Sequence, residues 1–131
     1  MVVVTKEDRP IQRVLIAYSG SMQSAKTMRR FVQMQLWPNA SLRIVTFSKD
    51  AAAGDERLEH AAEYCRAHGL DPQIECVRSP SLGQLLPYAR EHNSDLIVLG
   101  NSARNMLLRK ILGETALDVM RNTDRSLFLA Q

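Results

Sequence analysis

Short apolar runs alternate with amphipathic stretches along nearly the whole chain, and this alternation narrows its folds more than any other feature. Val14-Leu15-Ile16-Ala17 and Leu96-Ile97-Val98-Leu99 are continuous, rich in branched side chains, and each ends within two or three residues at a glycine. Runs of that length suit strands buried on both faces. Leu42–Phe47 and Ser126–Leu129 read the same way, and Pro72–Val77 alternates as a strand with one wet face or at a sheet edge. Between the runs the spacing predicts helices. Met28, Phe31 and Val32 form the clearest face of the first, with Ser21 as N-cap and Pro38-Asn39 as stop. Asp50 or Asp55 caps a second through Leu58, Ala61, Ala62 and Cys65, ending at Gly69. A third carries Leu82, Leu85, Leu86 and Ala89, with Pro87 kinking it or shifting its start. A fourth runs from near Gly113 through Ala116, Val119 and Met120. The expectation is an α/β fold: a parallel sheet with helices on both faces, Rossmann-like, over residues 12–131. Residues 1–11 read as a flexible N-terminal arm.

Composition removes other classes. A length of 131 residues suits one domain, and 24% charged residues is an ordinary globular value. No apolar run is long enough for a membrane helix, and the start lacks the pattern of a secretory signal, so the expected location is cytoplasmic, with no membrane partner. Seventeen basic residues against fourteen acidic ones are interleaved rather than striped, and aromatics are 5%, which argues against a nucleic-acid partner. Cys65 and Cys76 have no Cys-x-x-Cys spacing and read as two reduced thiols. His60 and His68 share a helix with Cys65 without forming a compact ligand set, so no metal is expected. Ser19, Ser21 and Ser24 have no nearby His-and-acid pair in sequence, so no catalytic residue is assigned and an enzyme is not the favoured reading. Of the methionines, Met22, Met28, Met106 and Met120 sit where helices meet the sheet or a partner.

Two strand ends carry small polar residues. One is Ser19-Gly20-Ser21-Met22-Gln23-Ser24; the other is Gly100-Asn101-Ser102-Ala103-Arg104, with Gly113-Glu114-Thr115 following. Glycine and serine at a strand-to-helix turn let backbone N–H groups approach an anion. These parts, with His92-Asn93-Ser94-Asp95-Leu96-Ile97-Val98-Leu99-Gly100, make the chain resemble the universal stress protein family, whose fold is similar to that of adenine nucleotide alpha hydrolases. The resemblance covers about residues 12–130. It implies a five-stranded sheet of order 3-2-1-4-5, which brings the two loops to one crevice, and a homodimer through an edge strand at Leu127, Phe128 and Leu129, although Ser126 replaces the family's usual proline.

Nucleotide-binding members hold ATP in that crevice, with a signature of Gly, two residues, Gly, nine residues, Gly and a hydroxyl residue. Here Gly100 and Gly113 fit; Ala103 replaces the second glycine, Glu114 the hydroxyl, and Ser19 the acidic residue after the first strand. Ala103 adds a methyl where backbone meets phosphate. A carboxylate about 4 Å from a phosphate charge repels it by roughly 4 kcal/mol at an effective dielectric of 20, more than the about 0.3–2 kcal/mol of a helix dipole. Arg104, Arg109 and Lys110 either recruit an anion or form a solvated basic loop. The candidate cofactor-binding residues are Ser19, Gly20, Ser21, Gly100, Asn101, Ala103, Arg104, Gly113, Glu114 and Thr115. The resemblance implies a regulatory or stress-response binding module, acting with an unknown protein partner, with a degenerate crevice and weak or absent ATP binding. The alternative is an ATP-binding member with slow hydrolysis or nucleotide-switched behaviour. Ser19–Ser24 is also similar to the Ser-Gly-Gly-x-Asp-Ser loop of ATP pyrophosphatases, with Ser21 and Gln23 in place of the second glycine and the acid.

Overall fold

The computed structural model describes residues 2–4, 11–78, 85–100 and 126–130. Its elements are β1 (Val2–Val4), β2 (Arg13–Ala17), α1 (Met22–Met34), β3 (Ser41–Phe47), α2 (Ala51–Ala67), β4 (Gln73–Val77), α3 (Leu85–Glu91), β5 (Leu96–Gly100) and β6 (Ser126–Ala130). They form one sheet of order β1-β6-β5-β2-β3-β4. Every pairing from β6 to β4 is parallel. The α/β class holds, and the strands expected as 3-2-1-4 lie in that order as β4, β3, β2 and β5.

The expected count of five strands is corrected by β1. Val2, Val3 and Val4 pair antiparallel with Leu129, Phe128 and Leu127. Thus the reading of residues 1–11 as an arm fails at Val2–Val4, and β6 is not the sheet edge. The cause is that β6 would otherwise leave a row of backbone donors and acceptors unpaired, and three consecutive β-branched residues suit the extended backbone that satisfies them.

Alternation in the central strands sorts the core into two layers. Val14 and Ile16 of β2, Leu42 and Ile44 of β3, and Leu96 and Val98 of β5 pack with Met28, Phe31 and Val32 of α1 and Leu58, Ala61 and Cys65 of α2. Leu15, Ala17, Val45, Ile97 and Leu99 face the other way, toward Leu85, Tyr88 and Ala89 of α3. Met28 lies in the core, whereas Met22, at the first turn of α1, is exposed.

Local chemistry sets the helix ends. Ser21 caps α1, its hydroxyl accepting from the Ser24 N–H at 3.1 Å. The helix stops at Gln35, which is left-handed (φ 46°, ψ 43°), before Pro38 is reached. Asp50, not Asp55, caps α2 by accepting from the N–H groups of Ala52 and Ala53. At its other end Gly69 takes φ +82°; its N–H donates to Arg66 O and that of Leu70 to Cys65 O, the double closure of a Schellman motif. Pro87 is the third of the described residues of α3. The sequence expectation had this helix running from Leu82; residues 79–84 lie outside the described residues, as does the expected fourth helix.

Gly54 lets α2 approach the sheet. A methyl added there would fall on the Sγ of Cys76 and lie 3.3 Å from the Thr46 side chain. We predict that Gly54→Ala destabilises the protein by about 1–3 kcal/mol through overpacking, despite the better helix propensity of alanine. In a Cys76→Ala background the added methyl has room, and the cost of Gly54→Ala should largely vanish. Urea unfolding of the four proteins checks this; equal costs in both backgrounds would contradict the packing account.

Candidate functional site

The chain leaves β2 on one side to form β3 and returns on the other side as β5. In open parallel sheets ligands bind beyond the carboxyl ends of the strands at such a reversal. Here those ends are Ala17, followed by Tyr18-Ser19-Gly20-Ser21, and Gly100.

The first loop is built tightly. Tyr18 N–H donates to Val45 O at 2.9 Å, tying the loop's root to β3. Gly20 takes φ +80°, a backbone state that costs other residues more. A methyl at Gly20 would also lie 2.8 Å from Cδ and 3.1 Å from Nε of Arg57, so the arginine side chain from α2 lies against the glycine. The three serine hydroxyls lie close together: Ser19 Oγ is 3.0 Å from Ser21 Oγ and 3.2 Å from Ser24 Oγ, and Ser21 Oγ is 3.2 Å from Ser24 Oγ. Ser24 is buried, donating to Ser21 O at 3.0 Å and accepting from Ser19 N–H at 3.3 Å. Ser19 and Ser21 are exposed.

The chemistry of the loop is that of a neutral donor cradle. No acidic residue lies in the first turn of α1, so the positive end of the helix is not neutralised locally. Arg57 adds a guanidinium beside it. Among the described residues no histidine or carboxylate hydrogen-bonds to the three serines, so nothing there activates a hydroxyl as a nucleophile. Arg57 escaped the sequence reading because it belongs to a charged stretch of α2 that looks like any solvated helix face; only the packing of α2 over the β2–α1 turn brings it to Gly20.

The structure therefore brings Ser19, Gly20 and Ser21 together at the end of β2 and places the backbone of Gly100 at the end of β5. Asn101, Ala103, Arg104, Gly113, Glu114 and Thr115 lie outside the described residues. Among the described residues no cluster of three or more His, Cys, Asp or Glu side chains suits a metal ion, and no helix is long and apolar enough to cross a membrane.

Comparison with known proteins identifies the class. Residues 10–130 match the model of the universal stress protein family, and the chain belongs to that family. The universal stress protein Slr1230 of Synechocystis is 24% identical over 123 residues, which cover 92% of this chain and 43% of that protein, so the chain spans less than half its relative's length. A universal stress protein solved in complex with cAMP is 25% identical, with a TM-score of 0.72 over 94% of this chain and 98% of that one. A universal stress protein of Archaeoglobus fulgidus, solved in complex with dAMP, shares the fold at 14% identity, with a TM-score of 0.63 over 93% of this chain and 98% of that one.

Both cysteines are free. Burial raises the Cys65 thiol from its usual 9.0 to about 11, against a smaller lowering by Arg66. Burial, then the carboxylate of Asp55, also raises Cys76. Between pH 9 and 11 the unfolded chain ionises Cys65 while the folded chain keeps it protonated, so stability falls as pH rises through that window. We predict a shallower decline for Cys65→Ala than for the parent in melting curves at pH 8.5, 9.5 and 10.5. Iodoacetamide should label Cys65 of the folded protein far more slowly than the same residue of the unfolded chain at pH 8.5. Equal labelling rates would contradict its burial.

Proposed function

We propose that this chain is a regulatory binding module of the universal stress protein family whose crevice takes an adenine mononucleotide and holds ATP weakly or not at all. One observation carries the reading. The β2–α1 loop presents the exposed Ser19 and Ser21, a left-handed Gly20 and the guanidinium of Arg57 at the sheet's reversal point. Such a loop offers donors and positive charge to one phosphate. The structural relative at 25% identity is described in complex with cAMP, a single-phosphate nucleotide. The sequence beyond β5 supplies the discrimination. Glu114 replaces the hydroxyl residue and Ala103 the glycine of the family's ATP signature. A further pair of phosphates would meet a carboxylate at the start of the expected fourth helix.

The module acts through what it binds rather than through turnover. Self-association runs through the β6 end of the sheet. Because β1 covers Leu127–Leu129, a second copy meets β1 first.

Calorimetric titration tests the reading. cAMP or AMP should bind at least about tenfold more tightly than ATP with magnesium, a difference of about 1.4 kcal/mol. Glu114→Ser combined with Ala103→Gly should raise ATP affinity and leave cAMP affinity little changed. ATP binding more tightly than either monophosphate, or measurable ATP hydrolysis, would instead favour the ATP-binding alternative.

A further inference from the structure

The other end of the sheet holds a separate cavity of ≈370 Å³, within the size range of small-molecule sites. It lies at the amino ends of β2, β3 and β4, opposite the strand ends that form the crevice. Arg13, Arg43, Asp71, Gln73, His92 and Ser94 are among the residues that line it.

Part of this wall is fixed. Arg43 donates through Nη1 to the Tyr88 hydroxyl at 3.2 Å and through Nη2 to Gln73 Oε1 at 2.6 Å, and Nη1 lies 3.6 Å from Glu75 Oε1. Tyr88 in turn donates to Glu75 at 2.6 Å. The His92 ring stacks on Tyr88 with centroids 4.1 Å apart, and its Nδ1 donates to Tyr88 O at 3.0 Å. These groups are mutually satisfied, so they shape the cavity without needing a ligand.

Three other lining groups have no protein partner among the described residues. Ser94 is 3% exposed, yet its hydroxyl makes no hydrogen bond among the described residues. Thr46 Oγ1 is the one fully enclosed side-chain oxygen there without a partner, so the Ser94 hydroxyl keeps contact with the accessible surface. Arg13 uses its backbone to pair with Asp95, but among the described residues its exposed side chain has no ion pair or hydrogen bond. The exposed Asp71 carboxylate has none there either. The cavity brings the two charges near one another. Arg13 pairs with Ser41 at the start of β3, and Asp71 lies two residues before β4, which pairs with β3 from Arg43–Gln73 onward. Only β3 separates β2 from β4, a span of two strand spacings or roughly 10 Å between backbones.

A hydroxyl on a nearly buried residue that still reaches the surface, flanked by an exposed cation and an exposed anion without protein partners among the described residues, suits a ligand of matching polarity. We propose that this cavity is a second binding site, for a small metabolite with a carboxylate or phosphate at one end and an amine at the other. The oxyanion meets Arg13 and the Ser94 hydroxyl, and the amine meets Asp71. The site is distinct from the nucleotide crevice and does not depend on it.

Two zwitterions separate the possible oxyanions. Amide spectra of the ¹⁵N-labelled full chain are recorded during titration with β-alanine and, separately, with O-phosphoethanolamine. At least one should give saturable shifts at the amides of Arg13, Asp71 and Ser94 while Ser19–Ser24 stay still. Saturation by β-alanine alone assigns a carboxylate ligand, and by O-phosphoethanolamine alone a phosphate ligand. Arg13→Ala should weaken binding about tenfold or more, since it removes a charge-assisted contact. Arg13 is exposed and its side chain has no hydrogen bond or ion pair among the described residues, so this variant should melt like the parent. Asp71→Asn should weaken either zwitterion but not acetate or inorganic phosphate. No saturable shift with either probe, shifts confined to Ser19–Ser24, or undiminished binding to Arg13→Ala would overturn the proposal.

Discussion

One carboxylate holds the two central strands of this sheet side by side. Asp95 Oδ2 accepts from the N–H groups of Gln12 at 3.0 Å and Arg13 at 2.9 Å, and the Asp95 N–H donates to Arg13 O at 2.8 Å. The bonds lie where β2 and β5 begin, so they set the register in which Val14 faces Leu96 and Ile16 faces Val98. A slip by one residue would exchange the two faces of β5, turning residues shaped for α1 and α2 toward α3. The register also brings the far ends of both strands together. Tyr18–Ser21 and Gly100 are neighbours because strands that start level and run parallel finish level.

This arrangement gives the sheet two chemically different ends. At the carboxyl end the chain turns sharply into helices, and small residues leave hydroxyls, amide groups and a helix terminus facing outward. At the amino end the polar groups come from the loops that feed the strands. Arg43 and Gln73 there are tied with Glu75 and Tyr88 into one cluster, which joins β3, β4 and α3. Burial, with the bond to Glu75, raises the Tyr88 hydroxyl to about 12, so it remains a donor throughout the neutral range. The cluster is structural, and the idle groups beside it stand out against that background.

The core was legible in the sequence. Val14–Ala17 and Leu96–Leu99 read as strands buried on both faces because no polar residue interrupts them, and they are buried on both faces. The weaker alternation at Pro72–Val77 suggested one wet face or a sheet edge, and β4 lies at an edge. Ser21 and Gly69 announced helix ends through chemistry that acts within a few residues, and of the two candidate caps Asp50 and Asp55 the structure uses Asp50. What escaped the sequence is what depends on distant partners. Three valines are too short a run to be assigned without knowing that β6 lies beside them. Arg57 looks solvated until α2 is laid against Gly20. Arg13, Ser41 and Asp71 line one cavity only once three strands are side by side. Half of the candidate crevice was legible as a loop at the end of β2; its other half, from Asn101 to Thr115, rests on the sequence alone.

The central claim is that the crevice between the ends of β2 and β5 is a single-phosphate site. A crystal structure of the protein grown with cAMP tests it most directly. The account predicts the phosphate against the amides and hydroxyls of Ser19–Ser21, within reach of the Arg57 guanidinium. Nucleotide bound elsewhere on the molecule, or a crevice holding only solvent at saturating cAMP, would contradict it.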